Sequence, residues 1–113
     1  MEQIKKDIVS GKLKGGDKMP SVRALAKELQ VNVNTVQRVY QELERDNILF
    51  SQRGIGSFVT ENKETIEQIK EEMAHELLEN FVHGMRELGF DDKSTLLALQ
   101  QYMGREAQGN VKD

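Results

Sequence analysis

The sequence predicts a mainly α-helical fold that contains one small β-hairpin. Two short amphipathic helical patterns lie on either side of a tight polar break within residues 20–45. Two short apolar runs separated by a glycine-containing turn follow at residues 48–60, which is typical of a β-hairpin. A long amphipathic pattern at residues 62–88 then occupies much of the second half of the chain, which favours further helix.

The composition indicates a small domain with an aliphatic core. The 113 residues include no cysteine and no tryptophan, so neither a disulfide framework nor a thiolate metal site can form. No apolar run is long enough to span a bilayer, and no signal peptide precedes the first helical pattern. We therefore expect a cytoplasmic protein that does not insert into a membrane.

The net charge of −3 is unevenly distributed along the chain. Residues 1–60 carry ten Lys or Arg and seven Asp or Glu, whereas residues 61–113 carry six and twelve. Such an asymmetry is more informative than the total, because a basic half can contact nucleic acid in a chain that is acidic overall. We expect the first half to contact phosphates and the acidic half to stay away from them.

The chain begins with a predicted helix and a glycine-containing linker. Ile4 and Ile8 lie one turn apart and predict a helix over residues 2–10. Three glycines between residues 11 and 16 then interrupt the chain before Pro20, as expected for a linker.

A second and a third helix are predicted on either side of the polar break at residues 30–32. Ser21 is a suitable N-cap for the second helix, over residues 21–29, and Asn32 for the third, over residues 33–46. Apolar side chains recur at helical spacing in both helices: Val22, Leu25, Ala26 and Leu29 in the second, and Val36, Val39, Tyr40 and Leu43 in the third.

The opposite face of the third helix is polar. Its side chains are spaced i, i+3, i+4 and i+7 and so form one patch: Asn34, Gln37, Arg38 and Gln41. Amide side chains can pair with adenine in the major groove, and arginine with guanine or a phosphate. Two helices joined by a tight turn are typical of a helix-turn-helix. An ordinary helical hairpin with a solvated polar face is the alternative interpretation.

A hairpin with a glycine-rich tip is predicted directly after the third helix. Strands at residues 48–50 and 57–60 flank a turn that contains Arg53, Gly54 and Gly56. Three helices followed by such a hairpin form a winged helix. We expect Arg53 to contact a phosphate or the minor groove, with the glycines allowing close backbone approach. A plain hairpin with a solvated arginine is the alternative.

The acidic second half predicts two amphipathic helices, over residues 62–88 and 92–105. Gly89 is expected to end the first of them in the left-handed conformation, and residues 108–113 are expected to form a frayed tail. Leu96, Leu97, Leu99, Tyr102 and Met103 are expected to face inward. Apolar side chains also recur every three or four residues along the first helix: Ile66, Ile69, Met73, Leu77, Phe81, Met85 and Leu88.

This apolar stripe predicts a homodimer, because a two-helix hairpin cannot bury a stripe of that length alone. A two-fold dimer would place two recognition helices about one DNA turn, roughly 34 Å, apart and predicts a palindromic operator. Packing of the stripe within a monomer is the alternative. The expected interface comprises six residues: Ile66, Ile69, Met73, Leu77, Phe81 and Met85.

No arrangement of side chains predicts catalysis or metal binding. His75 and His83 lie on one helix face with Glu79 midway, which could form a metal site across a dimer. Isolated helical histidines, however, lie more often at a surface or an interface than on a metal. There is no nucleophile–base arrangement and no phosphate-binding glycine loop before a helix. We predict a protein that is not an enzyme and that has no metal and no cofactor.

Five motifs follow one another in the first half of the chain. They are Gly11-Lys12-Leu13, Pro20-Ser21-Val22-Arg23-x-Leu25-Ala26, Val31-Asn32-x-Asn34-Thr35-Val36, Tyr40-x-x-Leu43-Glu44 and Arg53-Gly54-x-Gly56-x-Phe58-Val59. In their order and spacing they resemble the motifs of the GntR family of bacterial transcription regulators, and the resemblance covers residues 4–60. Residues 34–40 and the short C-terminal part resemble the YtrA-type branch.

The resemblance implies a DNA-binding site in the first half and a homodimer interface in the second. It implies contacts to the DNA backbone or an adjacent base at the start of the second helix, contacts in the major groove from the third helix, and a contact from the wing. Lys14, Gly15 and Gly16 stand where the family has Pro-Gly, so we expect a looser loop there. The implied DNA contacts are, in that order, Ser21 and Arg23; Asn32, Asn34, Thr35, Gln37 and Arg38; and Arg53 and Gly54.

The sequence therefore predicts three segments: a winged helix-turn-helix domain at residues 1–60, an acidic dimerisation region at residues 61–107 and the tail at residues 108–113. The predicted function is that of a repressor that binds a double-stranded DNA operator, and the resemblance implies a transporter operon as its target. The alternative is a winged-helix module that binds another protein. A small-molecule effector is a further candidate partner, with a small pocket at the dimer seam.

Overall fold

The computed structural model describes the backbone of residues 2–112 and the side chains of residues 2–107. The predicted fold class, mainly helical with one small hairpin, is confirmed. No helix within this described part combines the length and the apolar character that a membrane span requires. The elements are α1 (Glu2–Val9), α2 (Val22–Leu29), α3 (Val33–Arg45), β1 (Leu49–Gln52), β2 (Gly56–Val59), α4 (Lys63–Glu87) and α5 (Asp92–Lys112).

The chain divides into two compact units, Met1–Glu72 and Met73–Asp113. The first unit contains the three N-terminal helices, the hairpin and residues 63–72 of α4, and the second contains the rest of α4 and α5. The predicted segment limits at residues 60 and 107 remain predictions.

The core of the first unit is formed by apolar side chains from all of its elements. The inward stripe predicted for α3 is confirmed for Val36, Tyr40 and Leu43, which are buried, whereas Val39 is half-buried. The stripe predicted for α2 is wrong at its last position, where Leu29 is exposed. The helix ends there, because Gln30 adopts the left-handed conformation with φ 57°, and no further turn covers the leucine. The other buried apolar residues are Ile8, Met19, Ala26, Ile48, Leu49, Val59 and Ile69.

The linker before α2 is bonded to the hairpin. β1 and β2 pair antiparallel, and Lys18 forms a bridge with Phe58 on the other edge of β2. The amide of Gly16 donates to the carbonyl of Val59 at 2.8 Å, and the amide of Met19 to that of Ser57 at 2.8 Å. The expectation of a looser loop is therefore wrong, because backbone hydrogen bonds hold this segment along the outer strand.

Glycine is required where the linker passes the end of the hairpin. A Cβ atom at Gly15 would lie 3.0 Å from the carbonyl oxygen of Thr60, and at Gly16 the backbone has φ +87°. An L-residue is disfavoured at a positive φ, and a side chain at Gly15 would require the backbone to shift. The two glycines that suggested looseness thus permit close packing.

The second unit is a pair of helices joined by a capped turn. Gly89 has φ +95°, as predicted for the residue that ends α4. The Asp91 carboxylate accepts a 2.7 Å hydrogen bond from the amide of Ser94, and this bond lowers the pKa of Asp91. The Arg86 guanidinium contacts the Asp92 carboxylate at 3.1 Å across the turn. α5 extends beyond the predicted end at residue 105, whereas the side chains of the predicted tail, 108–113, lie outside the described residues.

Most of the residues predicted to face inward on α5 are exposed. Leu99 is half-buried and Thr95, which the prediction omitted, is buried. Within one chain α4 and α5 make few contacts with each other, so most apolar side chains of α5 stay uncovered. The prediction of inward packing within one chain is thus wrong for Leu96, Leu97, Tyr102 and Met103.

Candidate nucleic-acid interface

Ser21 forms the predicted N-cap of α2. Its backbone is extended, with φ −63° and ψ 156°, and its hydroxyl oxygen accepts a 3.1 Å hydrogen bond from the amide of Ala24. The hydroxyl hydrogen is not used by this bond and can be donated to an acceptor such as a phosphate oxygen. Ser21 can therefore cap the helix and contact DNA at the same time.

Asn32 forms the predicted N-cap of α3, and this role limits what it can offer to DNA. Its side-chain oxygen accepts a 2.7 Å hydrogen bond from the amide of Asn34. Bidentate pairing with adenine requires both the oxygen and the nitrogen of an amide side chain. The cap holds the side chain in one orientation and uses one of the two lone pairs of its oxygen. The NH₂ group stays free as a donor and is suited to a phosphate or a base acceptor.

The exposed face of α3 presents the side-chain chemistry of a major-groove recognition helix. Asn34, Gln37 and Arg38 are exposed on the side opposite the buried stripe, and Thr35 is exposed beside them. Two amides and one guanidinium on one face can pair with adenine and guanine edges. The patch predicted from the spacing of these residues is thus present as one exposed surface.

A hydrogen bond connects α3 to the start of α2. The Tyr40 hydroxyl donates to the carbonyl of Pro20 at 2.7 Å, and burial of the ring raises the pKa of Tyr40. Pro20 directly precedes the Ser21 cap. The bond therefore helps to fix the exposed face of α3 relative to the first turn of α2.

The wing has a tight tip on a rigid base. The amide of Ile55 donates to the carbonyl of Gln52 at 2.9 Å, which closes a turn around Arg53 and Gly54. Gly54 has φ +80°, a conformation that favours glycine. At the base, the rings of Phe50 and Phe58 stack with centroids 5.5 Å apart. The Arg53 side chain is exposed on this support.

A groove separates the start of α2 from the wing. It has a volume of about 500 Å³, and its walls include Lys18, Ser21, Tyr40 and Ile55. The groove is open to solvent and combines an ammonium group with a hydroxyl donor. These groups are suited to a phosphate of a DNA strand that passes between the helix and the wing.

The cationic side chains around these elements are exposed and free to interact with phosphates. Within residues 2–107, the salt bridges join His75 to Glu79, His83 to Glu87 and Arg86 to Asp92. None of these involves a cation of the first unit. The exposed cations of α2, α3, the wing and the linker include Lys18, Arg23, Lys27, Arg38 and Arg53.

All nine predicted DNA-contacting residues are exposed on the first unit. The structure places them in three groups: the α2 start with Ser21 and Arg23, the α3 start and face, and the wing tip. That they contact DNA remains a prediction. Val33, an exposed apolar residue at the first position of α3, is not among the nine, although its place directly after the Asn32 cap is visible in the sequence.

The histidines of α4 form pairs with glutamates one turn away. His75 Nε2 lies 2.7 Å from Glu79 Oε1, and His83 Nε2 lies 3.1 Å from Glu87 Oε1. These are exposed i, i+4 pairs, which contribute little to stability. Across the described residues, no three His, Cys, Asp or Glu side chains are grouped in a way that could hold a metal ion.

The six predicted interface residues differ in their exposure within one chain. Ile69 is 5% exposed and belongs to the core of the first unit. Leu77 is 69% and Phe81 37% exposed, whereas Ile66, Met73 and Met85 are half-buried. Their contact with a second chain remains a prediction.

Three helices, of which the third is a capped recognition helix, and a glycine-tipped hairpin define a winged helix-turn-helix protein. Residues 1–59 match the gntR family of bacterial regulatory proteins. The chain belongs to this family and is a DNA-binding transcriptional regulator. The resemblance inferred from its five motifs is thus confirmed.

Similar proteins support this assignment over most of the chain. The uncharacterized HTH-type transcriptional regulator YhcF of Bacillus subtilis is 40% identical over 101 residues, which cover 89% of this chain and 84% of YhcF. The HTH-type transcriptional repressor YtrA of the same organism is 41% identical over 83 residues, 73% of this chain and 64% of YtrA. The structure of a GntR family transcriptional regulator from Listeria monocytogenes superimposes with a TM-score of 0.81 at 40% identity, covering 88% of both chains.

Proposed function

We propose that this regulator is a repressor that binds a palindromic operator as a homodimer. The observation that carries the proposal is that each unit, taken by itself, presents an exposed surface of a different chemical kind. The first unit exposes amide and cationic side chains on a capped recognition helix and a wing, and the second exposes apolar side chains. Such a protein can hold DNA with one unit and pair with a second copy through the other.

The proposal of DNA binding rests on two kinds of exposed polar side chain, cationic groups that can contact phosphates and amide or hydroxyl groups that can contact bases. Arg23, Arg38 and Arg53 supply charge for phosphates, which gives affinity that falls with salt concentration. The amides of Asn34 and Gln37, together with Thr35, supply hydrogen bonds to base edges, which give sequence preference.

The homodimer rests on the apolar surface of the second unit. Soluble monomers seldom expose a large contiguous apolar patch, and a two-fold interface requires a surface that is complementary to itself. Cavities of about 420 Å³ and about 270 Å³ lie on either side of Phe81 and Leu99 and can receive side chains of a second copy. The exposed apolar residues of this unit are Leu77, Leu78, Phe81, Leu88, Phe90, Leu96, Leu97, Tyr102 and Met103.

Repression is supported by the relative YtrA, which is named a transcriptional repressor. A repressor needs only to occupy its operator, and a recognition unit with a dimerisation unit is sufficient for that. The resemblance to the YtrA-type branch also supports a transporter operon as the target. The protein would act in the cytoplasm, where the DNA is located.

Selection of the purified protein on random duplex DNA, followed by anisotropy titration at two salt concentrations, tests the proposal. We expect an enriched inverted repeat, bound more weakly as salt rises. Arg38→Ala and Arg53→Ala should each lower affinity and reduce the salt slope by about one. Lys93→Ala, which removes an exposed cation of the second unit, is the matched control and should bind as the wild type does.

An absence of enrichment would contradict the proposal. Binding of a basic protein instead of DNA would then favour the interaction-module alternative. Enrichment of a single, unrepeated site would retain the DNA-binding function and exclude the two-fold operator.

A further inference from the structure

Val33 is an apolar residue on the exposed surface of the recognition helix. It is the first residue of α3, between Asn32 and Asn34, and is 37% exposed. The polar side chains around it can be explained by capping or by hydrogen bonding to DNA. An isopropyl group at this position offers neither.

Packing within the unit covers Val33 only in part, since the side chain is 37% exposed. Val31 directly precedes the Asn32 cap and Val36 is the fourth residue of the helix, which are the two positions of a hydrophobic staple. Val33 occupies neither position. By helical spacing it continues the line of Val36 and Tyr40, three and seven residues further on, but it is 37% exposed whereas both of these are buried.

The position of Val33 is one from which a side chain reaches base edges. In a helix-turn-helix, the N-terminal residues of the recognition helix are those that contact bases in the major groove. Thymine is distinguished there by its C5-methyl group, which is recognised by apolar side chains. We propose that Val33 contacts the C5-methyl group of a thymine and thereby selects thymine at one position of each half-site.

The neighbour of Val33 on the helix surface strengthens this assignment. Gln37 follows it at i+4, so the two side chains lie side by side along the exposed surface. An A·T pair presents adenine N6 and N7 next to the thymine methyl group in the major groove. Gln37 can pair with the adenine while Val33 contacts the methyl group of the same or the next base pair. The inference rests on the proposed binding of a duplex operator and names one determinant of its sequence.

Removal of a single methyl group from DNA tests the contact directly. The probe is the operator obtained by selection, with each thymine of the half-site replaced in turn by deoxyuridine, which lacks only the C5-methyl group. We expect one position where the replacement weakens wild-type binding by about fourfold, the effect of one methyl group removed from an apolar contact. Val33→Ser should weaken binding to the thymine duplex and should make binding insensitive to the replacement at that position.

Two controls separate this contact from general effects. Leu29→Ala shortens another exposed apolar side chain of the first unit and should keep the full dependence on the methyl group. Thermal melting of Val33→Ser should show at most a small loss of stability, because the side chain is 37% exposed and serine is accepted in the first turn of a helix.

The outcomes distinguish this inference from the proposed function. If the selected operator binds but no thymine position depends on its methyl group, the inference is wrong and the operator-binding function remains. The inference is also wrong if Val33→Ser retains the methyl dependence. If no duplex sequence is enriched at all, sequence-specific binding fails and the inference fails with it.

Discussion

The Tyr40 hydroxyl donates a 2.7 Å hydrogen bond to the carbonyl of Pro20. Tyr40 belongs to the buried stripe of α3, and Pro20 directly precedes the N-cap of α2. The bond thus joins the recognition helix to the segment that carries Ser21 and Arg23. This contact helps to fix the position of the candidate DNA-contacting residues at the start of α2 relative to those on α3.

Tyr40→Phe should destabilise the first unit and weaken DNA binding. The loss of one hydrogen bond costs about 1 kcal/mol of unfolding free energy, and water can reach the Pro20 carbonyl because Pro20 is exposed. Urea denaturation measures the change. Tyr102→Phe is the matched control, since Tyr102 is 62% exposed, and it should leave the midpoint unchanged. An equal effect of the two substitutions would contradict this role of Tyr40.

Tyr40 should also make the protein sensitive to alkaline pH. Burial raises the pKa of Tyr40 above its ordinary value of 10.0, because the phenolate form loses hydration. The folded protein therefore favours the neutral phenol of Tyr40. The stabilisation from this neutral form is complete at pH values below the pKa of Tyr40 in the unfolded chain. It is lost as pH rises through the higher pKa of Tyr40 in the folded protein. Stability should therefore fall as pH is raised above about 10.

Absorbance of phenolate in a Tyr102→Phe background isolates this titration, because the chain contains only two tyrosines. The background is needed because the hydrogen bond to Glu106 raises the pKa of Tyr102 as well. We expect the pKa of the single phenol, Tyr40, to lie above 10 in the folded protein and at about 10 in urea. Identical titrations in the two conditions would show that Tyr40 is solvated in the folded state.

Gln30→Gly should stabilise the first unit. Gln30 ends α2 with φ 57° and ψ 45°, and the left-handed conformation costs a non-glycine residue about 1–2 kcal/mol. Glycine removes this cost but gains freedom in the unfolded chain, which returns about 0.4–1 kcal/mol. The difference spans about 0–1.6 kcal/mol, and we expect a net gain near its centre, about 0.8 kcal/mol, in urea denaturation.

Asn47→Gly is the comparison for this prediction. Asn47 has φ 61°, but asparagine adopts the left-handed conformation more readily than glutamine does. We therefore expect a smaller gain from Asn47→Gly than from Gln30→Gly. Gln30→Ala retains the strain and should give no gain. A gain from alanine as large as that from glycine would refute strain as the cause.

The local features of the fold could be predicted from the sequence because neighbouring residues determine them. Ser21 and Asn32 cap α2 and α3 as predicted, and three residues of the predicted α3 stripe are buried. In contrast, the bond from Gly16 to Val59 joins residues far apart in sequence. The departure from the family's Pro-Gly at residues 14–16 indicated a looser loop there, because nothing local shows that the glycines permit close approach.

At the candidate site, too, a local sequence pattern shows which residues share a face but not what each side chain contacts. Polar periodicity identified the α3 face, but it did not show that the Asn32 oxygen is occupied by the amide of Asn34. In the second unit, periodicity identified apolar residues but could not distinguish burial within the chain from burial by a partner. Leu96 therefore was expected inside and is exposed.

Substitutions at Asn32 should separate helix capping from DNA binding. Asn32→Ala removes the acceptor for the Asn34 amide and should cost about 1 kcal/mol of stability. Asn32→Asp retains the acceptor and places a negative charge at a helix N-terminus, so stability should be unchanged or slightly higher. The same charge should repel phosphates and lower DNA affinity.

Urea denaturation and anisotropy titration of the two variants measure these effects. The expected pattern is opposite for the two properties: Asn32→Asp is as stable as the wild type and binds DNA poorly. If Asn32→Asp bound the operator with unchanged affinity and salt dependence, residue 32 would lie away from the phosphates.

Leu77→Glu should convert the proposed dimer to monomers. Leu77 is 69% exposed within one chain, so a glutamate costs little in the isolated chain, whereas at a two-fold seam it would bury two carboxylates without partners. Sedimentation equilibrium measures the association, and circular dichroism confirms that the helices are retained. Operator affinity should fall at least about 100-fold, because the two half-sites are no longer bound by one linked molecule.

Leu29→Glu provides the matched control for Leu77→Glu. Leu29 is also an exposed leucine, at 57%, but it lies on the first unit, outside the proposed seam. Since the same charge is introduced on a surface of similar exposure, general effects of a new glutamate on solubility or charge should be equal in the two variants. Only Leu77→Glu should sediment as a monomer. A wild-type protein that is monomeric at micromolar concentration, or a Leu77→Glu variant that remains dimeric, would place any assembly elsewhere on the chain.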